Sequence, residues 1–258
     1  MERDIEKYIQ DYRSSDFEKV MVHYRRKQVL QSINKYPHCR ILEIGCGEQP
    51  LFTEIVDFEE YVIIEPATFF CENAFAVANG KSCITVIQDF FENRVDELLN
   101  RQFDFIVVSA LLHEVIDPKS LLEGIYQCCG DETVVHINVP NNQSFHMLLA
   151  YESGIIPRVG ELSDRAKTLQ QHTSFDLELL KNYVTANRFE ILDEGSYFIK
   201  LFNHGKMQKL VNIGILDSSI LEGLDHLIKY MPDLGAEIYV NAKKNSDGKI
   251  LGVKKNNR

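Results

Sequence analysis

The sequence contains no apolar run of membrane-spanning length, and its opening residues, Met1-Glu-Arg-Asp4, are charged from the second position, unlike a secretory leader. The expectation is a cytoplasmic protein with no membrane partner. No CxxC pair is present either. The cysteines at 39, 46, 71, 83, 128 and 129 include three in or beside apolar stretches. Buried free thiols in a reducing compartment fit this pattern better than disulfides, a metal centre or a redox role for Cys128 and Cys129. Positive charge is scarce: 28 Lys and Arg stand against 38 Asp and Glu, for a formal net charge of -10. A nucleic-acid partner calls for a concentrated basic surface. The dense positive stretch here is the end of the chain, and 244–258 reads as a solvated, flexible basic tail. Small molecules are therefore the expected substrates. No linker, low-complexity tract or internal repeat divides the 258 residues. With 45% hydrophobic and 26% charged residues, the composition is that of an ordinary globular chain with ample core material. One domain over 1–243 is expected.

The chain is organised around Arg40-Ile-Leu-Glu-Ile-Gly-Cys-Gly-Glu-Gln-Pro50. Ile41 to Ile44 read as a short apolar strand carrying one acid, Glu43. Gly45 and Gly47, flanking Cys46, supply a tight turn where a ligand can approach the backbone closely. Pro50 suits the first turn of a following helix. Strand, glycine turn and helix start make a nucleotide-binding crevice. A dinucleotide site wants a third glycine, so that the pyrophosphate sits on the helix N-terminus. Here that position is Pro50, and Glu48 stands where an anion would have to come. A carboxylate there repels a pyrophosphate. S-adenosylmethionine has no phosphate and carries a sulfonium cation, and Glu43 could face its positive methionine end. Glu43-x-Gly45-x-Gly47 resembles the first motif of the class I S-adenosylmethionine-dependent methyltransferases.

Residues 2–36 read as helical, with Phe17, Val20, Met21 and Tyr24 at i, i+3, i+4 and i+7. Tyr24-Arg-Arg-Lys27 follows on that helix. One reading is a packing tyrosine beside a solvated basic face. The sharper reading has Tyr12, Tyr24 or Arg25 closing the ligand pocket, where a cation can pair with a carboxylate such as that of methionine. From Arg40 onward strands alternate with helices, which predicts a Rossmann-like, doubly wound α/β domain with helices on both faces of a seven-stranded, mostly parallel sheet. Tyr61-Val-Ile-Ile-Glu65 ends in an acid 20 residues after Gly45, the spacing that puts a carboxylate over a ribose; Pro66 follows it. Helices are expected over 68–78, 93–100 and 119–129, the last closed by Gly130. The sixth strand is expected over 189–202. Between strands five and six, 140–171 reads as an irregular segment, and long loops inside compact domains are usually functional. The stretches 140–175 and 203–232 are expected on the substrate side.

The resemblance extends over about residues 15–243. Val139-Pro-Asn141, His172-Thr-Ser-Phe175 and Arg188-Phe-Glu-Ile191 are similar to a branch of small-molecule methyltransferases that includes sugar and secondary-metabolite enzymes. It implies an antiparallel last strand inserted at one edge of the sheet. It also implies that Asp89 meets the adenine amino group and Phe90 lines the base, with a helix cap as the alternative role for Asp89. Ligands of open α/β sheets bind at the carboxyl ends of strands, so Ser109, Ala110 and His113 are expected near the reactive methyl. Asn141 and His146 are expected on the acceptor side. Ser109-Ala-Leu-Leu112 departs from the Pro-Pro-aromatic motif of DNA amino-methyltransferases and from the Asp of metal-dependent catechol-type enzymes. His113-Glu114 lacks the second histidine of HExxH, and no metal is expected.

Methyl transfer from a sulfonium is an in-line displacement with a good leaving group, so the protein supplies alignment and sometimes a base. His113 and His172 are the candidate bases; Glu114, on a helix, would point away. The leading expectation is O-methylation of a small polar metabolite, a sugar or nucleotide-linked sugar, with S-adenosylhomocysteine as the other product, by a monomer or homodimer. The alternatives are N-methylation of a small or phosphorylated amine, a catalytically idle relative that keeps the cofactor cleft, and a nicotinamide oxidoreductase, which Glu48 and Pro50 disfavour.

Overall fold

In the computed structural model, which describes residues 5, 17–162, 164–168 and 170–245, seven strands form a sheet in the order β3-β2-β1-β4-β5-β7-β6. They are β1 (Arg40–Ile44), β2 (Glu60–Ile64), β3 (Ile84–Ile87), β4 (Phe103–Ser109), β5 (Cys129–Pro140), β6 (Phe189–Tyr197) and β7 (Glu237–Lys244). β7 runs antiparallel to both its neighbours, and the other pairings are parallel. The helices are α1 (Glu18–Ile33), α2 (Thr68–Ala78), α3 (Val95–Leu98), α4 (Pro118–Cys128), α5 (Phe145–Glu152), α6 (Asp164–Thr168), α7 (Leu177–Ala186), α8 (His204–Asn212) and α9 (Ser218–His226). The doubly wound, Rossmann-like architecture is thus as the sequence predicts. Tyr12 and most of the basic tail lie outside the described residues.

Alternation along the strands divides the core. Leu42, Ile44, Val62, Ile64, Ile106 and Val108 face α4 and α7, while Ile41, Tyr61, Ile63, Phe105 and Val107 face α1 and α2. Ile41 and Leu42 are fully buried, each worth about 1.5–3 kcal/mol of transfer free energy. Glu43 shares the face of Ile41, which brings it beside Tyr61.

Several elements differ from expectation, each for a local reason. The antiparallel strand lies one place in from the edge. β7 is buried along most of its length, while β6 alternates buried and exposed positions and suits the edge. The helix expected after the glycine turn is a single 3-10 turn, Leu51–Thr53. The chain must return to Glu60 at once, and the amides of Glu59 and Glu60 both bond Cys39 O. Gly130 does not cap α4, which runs directly into β5; its amide donates to Thr133 Oγ1 at 2.8 Å. The 140–171 segment contains α5 and α6. β6 stops at Tyr197 because Phe198 adopts φ 57°, an outlier for a bulky residue. Complete burial and a stack on Tyr24, with ring centroids 4.4 Å apart, offset that strain.

The basic run on α1 is not a solvated face. Successive helical residues point about 100° apart, and the three cations take three different partners. Arg25 reaches Glu237 on β7, Arg26 reaches Glu54 and the carbonyls of Gln49 and Pro50, and Lys27 reaches Glu222 and Asp225, both on α9.

Candidate active site

A cavity of about 2040 Å³ opens over the carboxyl ends of β1, β2, β4 and β5. A site for one ligand usually measures about 300–1,000 Å³, so this one has room for two. Its floor is the glycine turn. Gly45 (φ 79°) and Gly47 (φ 56°) both need the left-handed region. A Cβ on Gly47 would meet nothing within 4 Å, and one on Gly45 only Leu111 at 4.0 Å. The backbone is therefore bare toward the cavity.

Two acids end the neighbouring strands. Glu65 Oε2 accepts from the amides of Cys46 at 3.1 Å and Gly47 at 3.3 Å, and Oε1 from Ala67 N at 2.8 Å. Pro66 lines the cavity beside it. Glu43 accepts from Tyr61 Oη at 2.9 Å and Leu51 N at 3.2 Å. Burial pushes its carboxyl up to about 7, against partial relief from those bonds. Burial and the two carboxylates also push the Cys46 thiol well above its ordinary value, so it is an unreactive wall. Burial likewise pushes Cys128 and Cys129 up to about 12.

These residues fit S-adenosylmethionine. Bare glycine backbone, buried carboxylates and the absence of a regular helix N-terminus after the turn suit a phosphate-free cation and leave a pyrophosphate without its dipole. Among the described residues no group of three or more His, Cys, Asp or Glu is arranged to hold a metal ion, and no helix is long and apolar enough to cross a membrane.

At the end of β4, Ser109 and Ala110 line the cavity, and Ala110 holds φ 52° with its amide on Asn138 O at 3.0 Å. Backbone held in that region costs energy and gathers at ligand sites. His113 follows, 3% exposed and in the cavity wall. Residues 112–114 form a turn rather than a helix, so Glu114, instead of pointing away, brings Oε1 to 3.7 Å from His113 Nε2. His172 meets His113 through backbone alone: its amide donates to His113 O at 2.9 Å, while its exposed side chain lies outside the cavity wall.

Other candidate positions separate. Phe90 lines the cavity, but Asp89 does not. Asp89 accepts from Phe90 N, Asn93 Nδ2 and Arg94 Nε at 2.7–2.8 Å, and it is not the helix cap given as its alternative either, since neither Phe91–Asn93 nor Val95–Leu98 has a side-chain cap. Tyr24 is core, 4% exposed and stacked on Phe198, and is not part of the cavity wall. Arg25 lines the cavity but is held by Glu237, at 2.9 and 2.5 Å, and by Glu18 at 3.1 Å. Asn141 lines it too, yet its amide holds the 233–235 turn through bonds to Asp233 O and Gly235 O. His146 lies in the wall with Nδ1 2.9 Å from Ser144 Oγ. Burial first, then the nearby Lys200 and His204, hold its pKa well below the ordinary value.

Sequence reasoning missed the opposite wall. Lys200 and His204 line the cavity, with Lys200 Nζ 3.4 Å from His204 Nδ1 and His204 Nε2 3.0 Å from Glu18 Oε2. Burial pushes Glu18 up, but the bonds and charges of His204 and Arg25 outweigh it and keep the carboxylate ionised. The signal available was Tyr197-Phe-Ile-Lys200, a lysine ending an apolar run. Asn142 was also missed. Its Oδ1 is buried in the same cavity wall with no hydrogen-bond partner among the described residues.

The sequence model of a family described as methyltransferase domain matches residues 21–194, about two-thirds of the chain. No curated protein sequence matches at a significant level. Among solved structures, a SAM-dependent methyltransferase of Thermotoga maritima, described as a possible histamine N-methyltransferase, aligns with a TM-score of 0.61 at 17% identity, over 93% of this chain and 97% of that one. A SAM-dependent methyltransferase of Archaeoglobus fulgidus gives 0.52 at 16% identity, over 85% and 92%. The plantazolicin methyltransferase BamL, solved with a triazolic desmethylPZN analog and S-adenosylhomocysteine, gives 0.53 at 13% identity, over 94% and 97%. At such identities the likeness is one of fold. The family match rests on the sequence itself, and with the glycine turn, the buried acids and the seven-stranded sheet it leads to one conclusion: the chain belongs to the methyltransferase-domain family and is a class I S-adenosylmethionine-dependent methyltransferase.

Proposed function

We propose that this methyltransferase acts on an oxygen of a small polar metabolite, a sugar or nucleotide-linked sugar. The observation that carries the reading is the continuity of the cavity, from the bare glycine turn and Glu65 to a second, polar wall made by Asn142, His146 and Lys200. Asn142 Oδ1 supports a donor-bearing acceptor, because a buried acceptor atom left without a donor costs about 1–3 kcal/mol. When bound, S-adenosylmethionine supplies an electrophilic methyl on a sulfonium. The chain's own residues position and deprotonate. Glu65 and the glycine turn hold the cofactor end, Ser109 and Ala110 border the reaction point, and His113 takes the hydroxyl proton with Glu114 beside its imidazole. An amine acceptor is the second reading, since Asn142 Oδ1 takes an N–H as readily as an O–H.

Mass spectrometry of methyl transfer to a panel of nucleotide sugars, small phosphorylated alcohols, phenols and amines tests this. Mass raised by one methyl on a hydroxyl compound is expected. Transfer confined to amines would replace the first reading with the second.

A further inference from the structure

Helix α5 is apolar at most of its positions, yet none of its residues is buried. An apolar helix surface that hides nothing in the core gathers at ligand and interaction sites. Backbone bonds hold the helix at both ends. Phe145 N donates to Leu234 O at 3.0 Å, and past Gly154 (φ 68°) the chain folds back, so that the amides of Ile155 and Ile156 both reach Ala150 O. Met147, Leu149, Ile155 and Ile156 line the cavity from this segment. Val115 and Ile116 line it as well, two and three residues after His113. Ile155 is 65% exposed and Ile116 61%, so the described chain leaves them largely bare. The first turn of α5 carries His146, part of the polar wall, and its later residues and the fold-back carry Leu149, Ile155 and Ile156. Polar wall thus passes into apolar wall along a single helix, about 12 Å long at about 1.5 Å per residue.

We propose that this apolar wall is a subsite for a hydrocarbon arm of the methyl acceptor. The inference rests on the methyl-transfer reading and narrows its acceptor to an amphiphile, a sugar-like head beside Asn142 and His146 with an aliphatic or aromatic substituent along α5. Continuity identifies the occupant. The wall belongs to the same cavity as the glycine turn and His113, and that cavity exceeds the volume of one ligand. No covalent step is added.

Isothermal titration of the protein saturated with S-adenosylhomocysteine tests it, with methyl, butyl, hexyl and octyl glucosides below their micelle concentrations in one arm and n-butanol, n-hexanol and n-octanol in the other. Affinity should rise about threefold to fourfold for each methylene, as about 0.8 kcal/mol per buried methylene implies. The double substitution Leu149→Ser and Ile155→Ser, at two exposed positions, should weaken octyl glucoside by about 10-fold or more and leave methyl glucoside as in the wild type. A folding defect would lower both. Ile213→Ser, at an exposed apolar position outside the cavity wall, should change neither. A series flat with chain length, or a dependence that survives the double substitution, would overturn the inference. So would a dimer that the double substitution dissociates, because a second copy would then cover the wall. Chain-length dependence in the alcohols without it in the glucosides would support the apolar subsite and remove the sugar head alone. No affinity of the wild-type protein for S-adenosylhomocysteine would remove the methyl-transfer reading and this inference with it.

Discussion

Glu65 Oε2 accepts hydrogen bonds from the amides of Cys46 and Gly47, at 3.1 and 3.3 Å, so the acid that ends β2 holds the turn that ends β1. Glu65→Ala removes both the turn's partner and the carboxylate assigned to the cofactor ribose. Affinity for S-adenosylhomocysteine should fall by about 1–3 kcal/mol, the range for charged hydrogen bonds. Calorimetry measures it directly, and unchanged affinity would take Glu65 out of the binding role.

His113 and His172 share a backbone hydrogen bond but not an environment. His113→Ala should lower turnover on a hydroxyl acceptor by about 10²–10⁴-fold, the usual contribution of a general base, with cofactor affinity retained. His172→Ala should stay close to wild type, because its ring does not line the cavity. The reverse pattern in single-turnover assays would exchange their roles.

Glu43 makes stability depend on pH. Its folded pKa of about 7 exceeds the unfolded value of about 4.3, so the folded chain binds more protons between the two. This contribution is full below about pH 4 and is lost as pH rises through about 7. From pH 5 to pH 8 the wild-type protein should lose more stability than Glu43→Gln. Denaturant titrations at both pH values give the comparison, and parallel slopes would mean that the carboxyl ionises freely.

Glycines at two places should fail differently. A Cβ on Gly235 would sit 2.5 Å from Ser196 Oγ and from the backbone nitrogen of Tyr197. Gly235→Ala should therefore destabilise the fold by about 1–3 kcal/mol or more. Gly47→Ala meets open space and bears only the strain of positive φ, about 1 kcal/mol. Thermal melts should show the larger drop for Gly235→Ala, and cofactor titrations the larger loss for Gly47→Ala. Equal melts would contradict the close packing at Gly235.

The sheet and the glycine turn with its two neighbouring acids were legible because their signals are local. Strand periodicity, two glycines and an acid at a fixed spacing are all read within one β-turn-β unit. The cavity wall opposite the glycine turn was not legible. Glu18, Lys200 and His204 meet only because α1 packs against the segment after β6, and that segment turns at a phenylalanine in a glycine-like conformation. A glycine at 198 would have announced the turn; Phe198 reads as more strand. Asp89 shows the opposite limit. An acid after a strand fits a base contact and a cap equally well, and Arg94, five residues later, engages it instead.

The three cations of α1 make that helix a strut. Arg25 holds the start of β7, Arg26 the loop after the glycine turn, and Lys27 the α9 region. Because all three anchor on one rigid rod, the cavity's two ends cannot breathe independently: withdrawing α1 unfastens both. Amide exchange in the 48–54 loop and at the start of β7 should therefore proceed through one shared opening event, and a ligand that clamps either end slows exchange at the other.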